Sequence, residues 1–171
     1  MNKKFNFEYI LLSLILIGGF LVRLYKIGSP IADWHSWRQA DTASVSRNFV
    51  KNGIDMLRPK YDDISSIQTG IPNPDGLRMV EFPVYNALHA TIFNTFGRYS
   101  LEAWGRLLTA FIAALTGLFL FLLGKKHYSL RIGLLTSFFY MFLPFNIYFT
   151  RVILPDPLGV LFAVSGLYFF G

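Results

Sequence analysis

Asp41 has the most to offer chemically. It lies in the run DWHSWRQADTASVSRNF, residues 33–49, which closely follows an apolar segment. A carboxylate at that depth can act as a general base toward a hydroxyl brought to a bilayer surface. It can also cap a helix opening at Thr42, and the two roles do not exclude each other. Asp156, in TRVILPDPLGV, is the second carboxylate. It too can serve as a cap, with Pro157 at the first helical position. Arg38 precedes Asp41 and Arg151 precedes Asp156. An arginine holds phosphate through two parallel hydrogen bonds and stabilises it as it leaves. The plainer role for each is a lipid-headgroup contact or a snorkelling side chain. The two acids and two arginines suit an anionic, lipid-linked substrate. Trp34 and Trp37 fit an interfacial belt or a sugar-stacking wall. Glu81, in MVEFPVYN, can orient an acceptor, pair with an arginine, or stand solvated at a helix start. His35 and His89 are isolated and lack metal-ligand spacing. With no cysteine, disulfides and thiolate metal sites are excluded.

The elements that must carry these residues are apolar. Of 171 residues, 53% are hydrophobic, including 18 phenylalanines, and the mean hydropathy is +0.43. That is more apolar than a typical soluble domain. Four runs predict membrane spans at about residues 7–26, 106–124, 131–150 and 156–171. Pro144 should kink the third or end it early. Lys3 and Lys4 before the first run also fit a signal peptide, but no small-x-small cleavage site follows, and a retained span is the reading taken. The final run ends in LYFFG without a polar cap, which predicts a chain cut within a span of a larger protein or a truncated gene.

The net charge of +6 does not point to nucleic acid, because no basic stripe with interleaved aromatics stands apart from the apolar runs. The basic residues instead set orientation. Lys3, Lys4 and the turn GKKHYSLR at 124–131 belong in the cytoplasm. The segment at about 28–105 is then outside, with seven Lys/Arg and eight Asp/Glu. Within it, residues 42–52 predict a short helix capped by Asp41. Residues 58–78 are rich in turn formers and predict a loop. Val84, Leu88, Ile92, Phe93 and Phe96 recur at helical spacing, interrupted by Tyr85, His89 and Asn94. They predict a helix lying along the membrane surface with those residues as its apolar face. There is no internal repeat.

WRQADTASVSRNFVKNG, then EFPVYNALHATIFNTFG, then GRLLTAFIAALTGLFLFLLGKKHYS together resemble the N-terminal portion of glycosyltransferase family 39. That family includes protein O-mannosyltransferases and aminoarabinose transferases of lipid A, within the GT-C superfamily of multi-pass membrane enzymes. The resemblance covers nearly the whole chain. It implies an all-α integral membrane fold, with GT-C-like transmembrane helices and a long extracytoplasmic first loop carrying surface helices. It implies that Asp41 is the catalytic base and that the donor is a sugar on a polyprenyl phosphate. The acceptor would be a lipid, a protein or a glycan, and the anomeric centre would invert. Asp156 matches a second acidic position, and Glu81, Arg106 and Arg151 fall near polar ones. Many members have Asp-Glu where this chain has Asp41-Thr42, which leaves a divalent cation open.

The expectation is therefore a multi-pass protein of the bacterial inner membrane with a cytoplasmic N-terminus. It would transfer sugar with Asp41 as base, and with Asp156, Arg38, Arg151, Glu81, Arg106 and Trp37 binding substrate. The rival readings are a scaffold or truncated membrane protein without catalysis, and a lipid-linked sugar transporter. The charges cluster near span ends rather than at mid-bilayer, which disfavours the transporter.

Overall fold

Long apolar runs fold as helices because a helix satisfies its own backbone hydrogen bonds. The computed structural model describes residues 7–31, 35–65 and 70–171. Among them are seven helices: α1 Phe7–Arg23, α2 Ser36–Asn52, α3 Val84–Phe96, α4 Leu101–His127, α5 Leu130–Phe142, α6 Pro144–Phe149 and α7 Asp156–Phe170. The only extended pairing among the described residues is a single antiparallel bridge, Lys60 to Leu77. The chain divides into two compact units. One holds residues 1–27, 109–151 and 156–171, and the other holds 28–108 and 152–155.

At 27 residues, α4 is the one described helix long and apolar enough to cross a membrane by length and composition. Three boundaries differ from the sequence expectation. The first helix ends at Arg23 rather than near residue 26, and the chain turns through Lys26 at a φ of 54°. The second run starts at Leu101, because Ser100 accepts a hydrogen bond from the Ala103 amide and so opens the helix earlier. The third run is two helices, broken at Leu143.

That break follows from Pro144. Proline has no N–H to give the carbonyl four residues back. The Tyr140 carbonyl instead accepts from the Asn146 side-chain amide. Met141, in the last turn of α5, has its carbonyl bonded by Arg23 Nη1 at 2.9 Å. Arg23 is 1% exposed. It also gives Nη1 to the Gly19 carbonyl at 2.7 Å and Nε to the Thr150 hydroxyl at 2.7 Å. Of its three acceptors, the Met141 carbonyl lies in the last turn of α5, where carbonyls lack intrahelical partners and a cation meets the negative pole of the helix; the others are a carbonyl of α1 and the hydroxyl of Thr150, just past α6. Asn146→Leu should orphan the Tyr140 carbonyl and lower the unfolding free energy by about 1–3 kcal/mol, read as an earlier thermal transition of the purified chain.

Leu12, Ile15, Phe121, Leu134 and Met141 form the core of this unit. Helices α4 and α5 approach at Gly124 and Gly133: a Cβ on Gly124 would lie 2.8 Å from the Gly133 Cα. Small residues at such a crossing let backbones touch. Outside this core the helices stay apolar. Leu14, Ile17 and Leu21 on α1, Phe138 and Phe139 on α5, and Phe162 and Leu167 on α7 are exposed.

In the second unit α2 packs on α3 around Val45, Phe49 and Ala90. On α3 the apolar positions expected to face a membrane surface lie on the outer side, and the inner side is the one that carries polar groups. Tyr85, Asn86, His89 and Ala90 are buried, whereas Leu88 and Phe96 are exposed at 42% and 62%. The reason is hydrogen bonding. Asn86 Nδ2 donates to the Thr42 carbonyl at 2.7 Å, and the Tyr85 hydroxyl to the Gly105 carbonyl at 2.8 Å. His89 Nε2 meets the Leu101 carbonyl at 2.7 Å, and its Nδ1 meets Ser46 Oγ at 3.0 Å. A carbonyl only accepts, so Nε2 carries the proton and Nδ1 accepts from Ser46 in the neutral ring.

Burial lowers the His89 pKa, outweighing the Leu101 hydrogen bond and the Glu102 charge. The unfolded chain therefore binds this proton more readily. The stabilisation from His89 is full above about pH 6.5 and is lost as the pH falls through the lower folded value. Unfolding scans from pH 8 to 5 should show falling stability, with a flatter slope in His89→Gln.

Candidate functional site

The helix carrying Asp41 starts earlier than expected. Asp41 is not an N-cap: α2 begins at Ser36, and His35 precedes it at a φ of 54° with no side-chain cap bond. Gln39, wholly buried, ties the first turn down by accepting from the Ile153 amide at 3.2 Å. Asp41 therefore lies in the second turn, and Arg38 sits three residues before it on the same face.

The other wall is a hairpin-like loop. Residues 73–76 read NPDG, a turn signature with proline at its second position. The Gly76 amide donates to the Asn73 carbonyl at 3.1 Å, and the Leu77 amide to Asn73 Oδ1 at 2.9 Å. Gly76 has a φ of 61°, and a Cβ there would lie 2.8 Å from the Tyr61 carbonyl oxygen. Only glycine fits both demands. The turn lays 76–78 beside 59–61: the Tyr61 amide bonds the Gly76 carbonyl at 2.9 Å, and the Arg78 amide the Pro59 carbonyl at 2.8 Å. Arg78 is thereby aimed at α2.

Arg78 holds Asp41 through its Nε–Nη2 edge. Its Nε is 2.8 and 2.9 Å from the two carboxylate oxygens, and its Nη2 is 2.5 Å from Oδ2. Arg38 Nη1 is 3.4 Å from the same oxygen, and its Nη2 is 2.9 Å from Glu81. Four charges thus run in alternation: Arg78, Asp41, Arg38, Glu81. The hydrogen bonds to Asp41 raise the pKa of Arg78 against the opposing effect of burial. The Arg78 guanidinium also lies over the Tyr61 ring, 5.4 Å from its centroid.

Three of the four, Arg78, Asp41 and Arg38, border a groove of about 1260 Å³. Trp37, Arg38, Asp41, Arg47, Tyr61 and Arg78 line it. Trp37 is 69% exposed, its ring free to meet a ligand face. Arg47 pairs with Asp62 at 3.0 Å across the groove wall. Burial pushes the Asp62 pKa up, but hydrogen bonds with Ser44, Asn48 and Arg47 outweigh it and the net shift is down. Behind Asp41 is a volume of about 10 Å³, the size of one hydroxyl or water, lined by Asp41, Thr42, Glu81 and Asn86. The Thr42 hydroxyl is buried there without a hydrogen-bond partner.

Of the residues named from sequence, Asp41, Arg38, Glu81 and Trp37 come together. Arg106 does not line the groove. It is buried and donates to the carbonyls of Ser29 and Pro30 (3.1 Å for the latter), fixing the chain ahead of α2. Arg151 and Asp156 belong to the other unit. The Arg151 guanidinium lies 5.3 Å from the Tyr25 ring centroid, and Asp156 is exposed in the first turn of α7. Trp34 lies outside the described residues. Sequence reasoning missed Arg78, the main partner of Asp41. The NPDG turn was the signal available for pairing its strand with residues 59–61.

The donors around Asp41 do not fit a divalent cation. Both of its oxygens accept from Arg78, and among the described residues no three His, Asp or Glu side chains gather as a metal would need. His89 has both ring nitrogens engaged. Comparison with models of protein families, with curated proteins and with solved structures finds no match to the chain.

Proposed function

We propose that the chain is the donor-binding and base-bearing part of a membrane glycosyltransferase that uses a sugar on a polyprenyl phosphate. The observation that carries this reading is the Asp41 carboxylate at a groove of about 1260 Å³, flanked by Arg38, Arg78 and an exposed Trp37. A carboxylate beside arginines is what an inverting displacement from a phosphate leaving group requires. The donor phosphate takes hydrogen bonds from Arg78 and Arg38. In turning to it, Arg78 releases Asp41. Asp41 then accepts the proton of the acceptor hydroxyl as its oxygen bonds the anomeric carbon. The bond from that carbon to the phosphate oxygen breaks, and the phosphate leaves with the electron pair, held by the arginines. Trp37 offers a face for the sugar ring. The acceptor is a lipid, a protein or a glycan outside the cytoplasm.

Support for the membrane setting comes from α4 and from the exposed apolar side chains of α1, α5 and α7, which a water-soluble surface would not carry in such number. In this reading α1, α5 with α6, and α7 also lie in the bilayer. The GKKHYSLR turn and the N-terminus are cytoplasmic, and the membrane is the bacterial inner membrane.

A second reading, a packing subunit without catalysis, draws on one observation: Arg78 occupies both Asp41 oxygens, as in a structural ion pair. The deciding experiment is sugar transfer from a polyprenyl-phosphate donor in membranes carrying the full-length protein, with Asp41→Asn alongside. Loss of transfer at unchanged protein level supports catalysis. Equal transfer in both removes Asp41 from the chemistry.

A further inference from the structure

Far along the chain from the Asp41 groove, the other unit has a cavity of about 480 Å³ at the α4–α5 turn. Leu120, Leu123 and Gly124 of α4 and Ile132 and Thr136 of α5 line it, together with His127 and Tyr128. Most of that lining is apolar. His127 and Tyr128 are exposed, Tyr128 at 81%. The size is within the range of small-molecule sites.

The turn around it is basic and has no acid to answer it. Residues 124–131 contain Lys125, Lys126, His127 and Arg131, and no Asp or Glu occurs between Glu102 and Asp156. Lys125 Nζ donates to the Tyr9 phenol at 2.9 Å, and Lys126 Nζ to the Tyr168 carbonyl at 3.1 Å. Both acceptors are neutral, and each ammonium also lies over the ring of its tyrosine, 5.4 and 5.5 Å from the centroid, so neither is paired with a carboxylate. Arg131 is exposed. A largely apolar cavity that opens beside His127, in a turn that also carries Lys125, Lys126 and Arg131 and at the end of a helix long enough to span a bilayer, suits one molecule with an apolar tail and an anionic head.

We propose that this cavity binds an anionic phospholipid. Its acyl chain lies against Leu120, Leu123 and Ile132, and its headgroup phosphate faces His127 and Arg131. An acidic peptide would match the basic turn and leave the apolar walls bare, and a neutral lipid would do the reverse. The site rests on the membrane setting above and not on sugar transfer.

The test is native mass spectrometry of the full-length protein, purified in mild detergent and exposed to mixed phosphatidylglycerol and phosphatidylcholine. Phosphatidylglycerol should be retained at least about fivefold over phosphatidylcholine, the size expected of one engaged basic residue. Arg131→Gln, an exposed change, should remove about that factor. Thr136→Phe should fill the cavity and abolish retention of both lipids while helical circular dichroism stays unchanged. Equal retention of the two lipids, or no loss in Arg131→Gln, overturns this proposal alone. A protein that alkaline carbonate strips from membranes overturns the membrane setting and this site with it.

Discussion

Asp41→Asn should cut sugar transfer by about 100- to 10,000-fold, the contribution usual for a positioned general base. Asparagine keeps the shape and loses the ability to take a proton. The size of the effect separates the base from the ion pair only if Arg78 is varied alongside. Arg78 bonds both Asp41 oxygens and lines the same groove. If Asp41 serves only to hold Arg78, Arg78→Gln and Asp41→Asn should lose activity equally. If Asp41 is the base, Asp41→Asn should lower kcat, whereas Arg78→Gln should chiefly raise KM for the donor and leave a freer carboxylate behind. Steady-state rates at several donor concentrations distinguish the two. Equal losses in both parameters for both variants would sink the catalytic assignment.

The second large effect is on stability. Arg23 is buried among neutral acceptors, with hydrogen bonds to Gly19, Met141 and Thr150. Arg23→Met removes the donors and orphans the Met141 carbonyl, which should cost about 1–3 kcal/mol. Arg23→Glu is worse, because a carboxylate would face the Gly19 and Met141 carbonyl oxygens with no cation to answer it. An uncompensated buried charge of that kind costs about 3–5 kcal/mol. Thermal unfolding of the purified protein should rank wild type above Arg23→Met and Arg23→Met above Arg23→Glu. A Met variant as stable as wild type would mean that the break after α5 is held by packing alone.

The helices of the apolar unit were largely legible in the sequence, because long uncharged runs and the missing N–H of Pro144 are local facts. Their ends were less so. α4 starts at Leu101 and α2 at Ser36, and the second depends on Gln39 reaching Ile153, 114 residues away. No local pattern announces such a bond, so Asp41 read as a cap when it lies within a helix. The pairing of Asp41 with Arg78 spans 37 residues and was hidden for the same reason. On α3 the sequence named the outer face and missed what holds the inner one. Periodicity identifies which residues share a side of a helix. It does not say whether that side meets protein or lipid, and Asn86 and His89 won the inward position through hydrogen bonds that Leu88 cannot make. Of the charged quartet, Asp41, Arg38 and Glu81 were legible as residues but not as a geometry, and Arg78 was not singled out at all.

The burial of its polar residues decides what substitution α3 can absorb. In a water-soluble helix the apolar side resists replacement and the polar side drifts freely. Here the polar side is the intolerant one: Asn86 and His89 are buried and each makes two hydrogen bonds. Leu88 faces outward and is interchangeable with other apolar residues of similar size, whereas Phe96, though exposed, stacks on the Trp104 ring at 5.5 Å and should tolerate other aromatics best. A deep mutational scan across Val84–Phe96 would therefore give a profile turned half a helical turn from the one that hydropathy alone suggests.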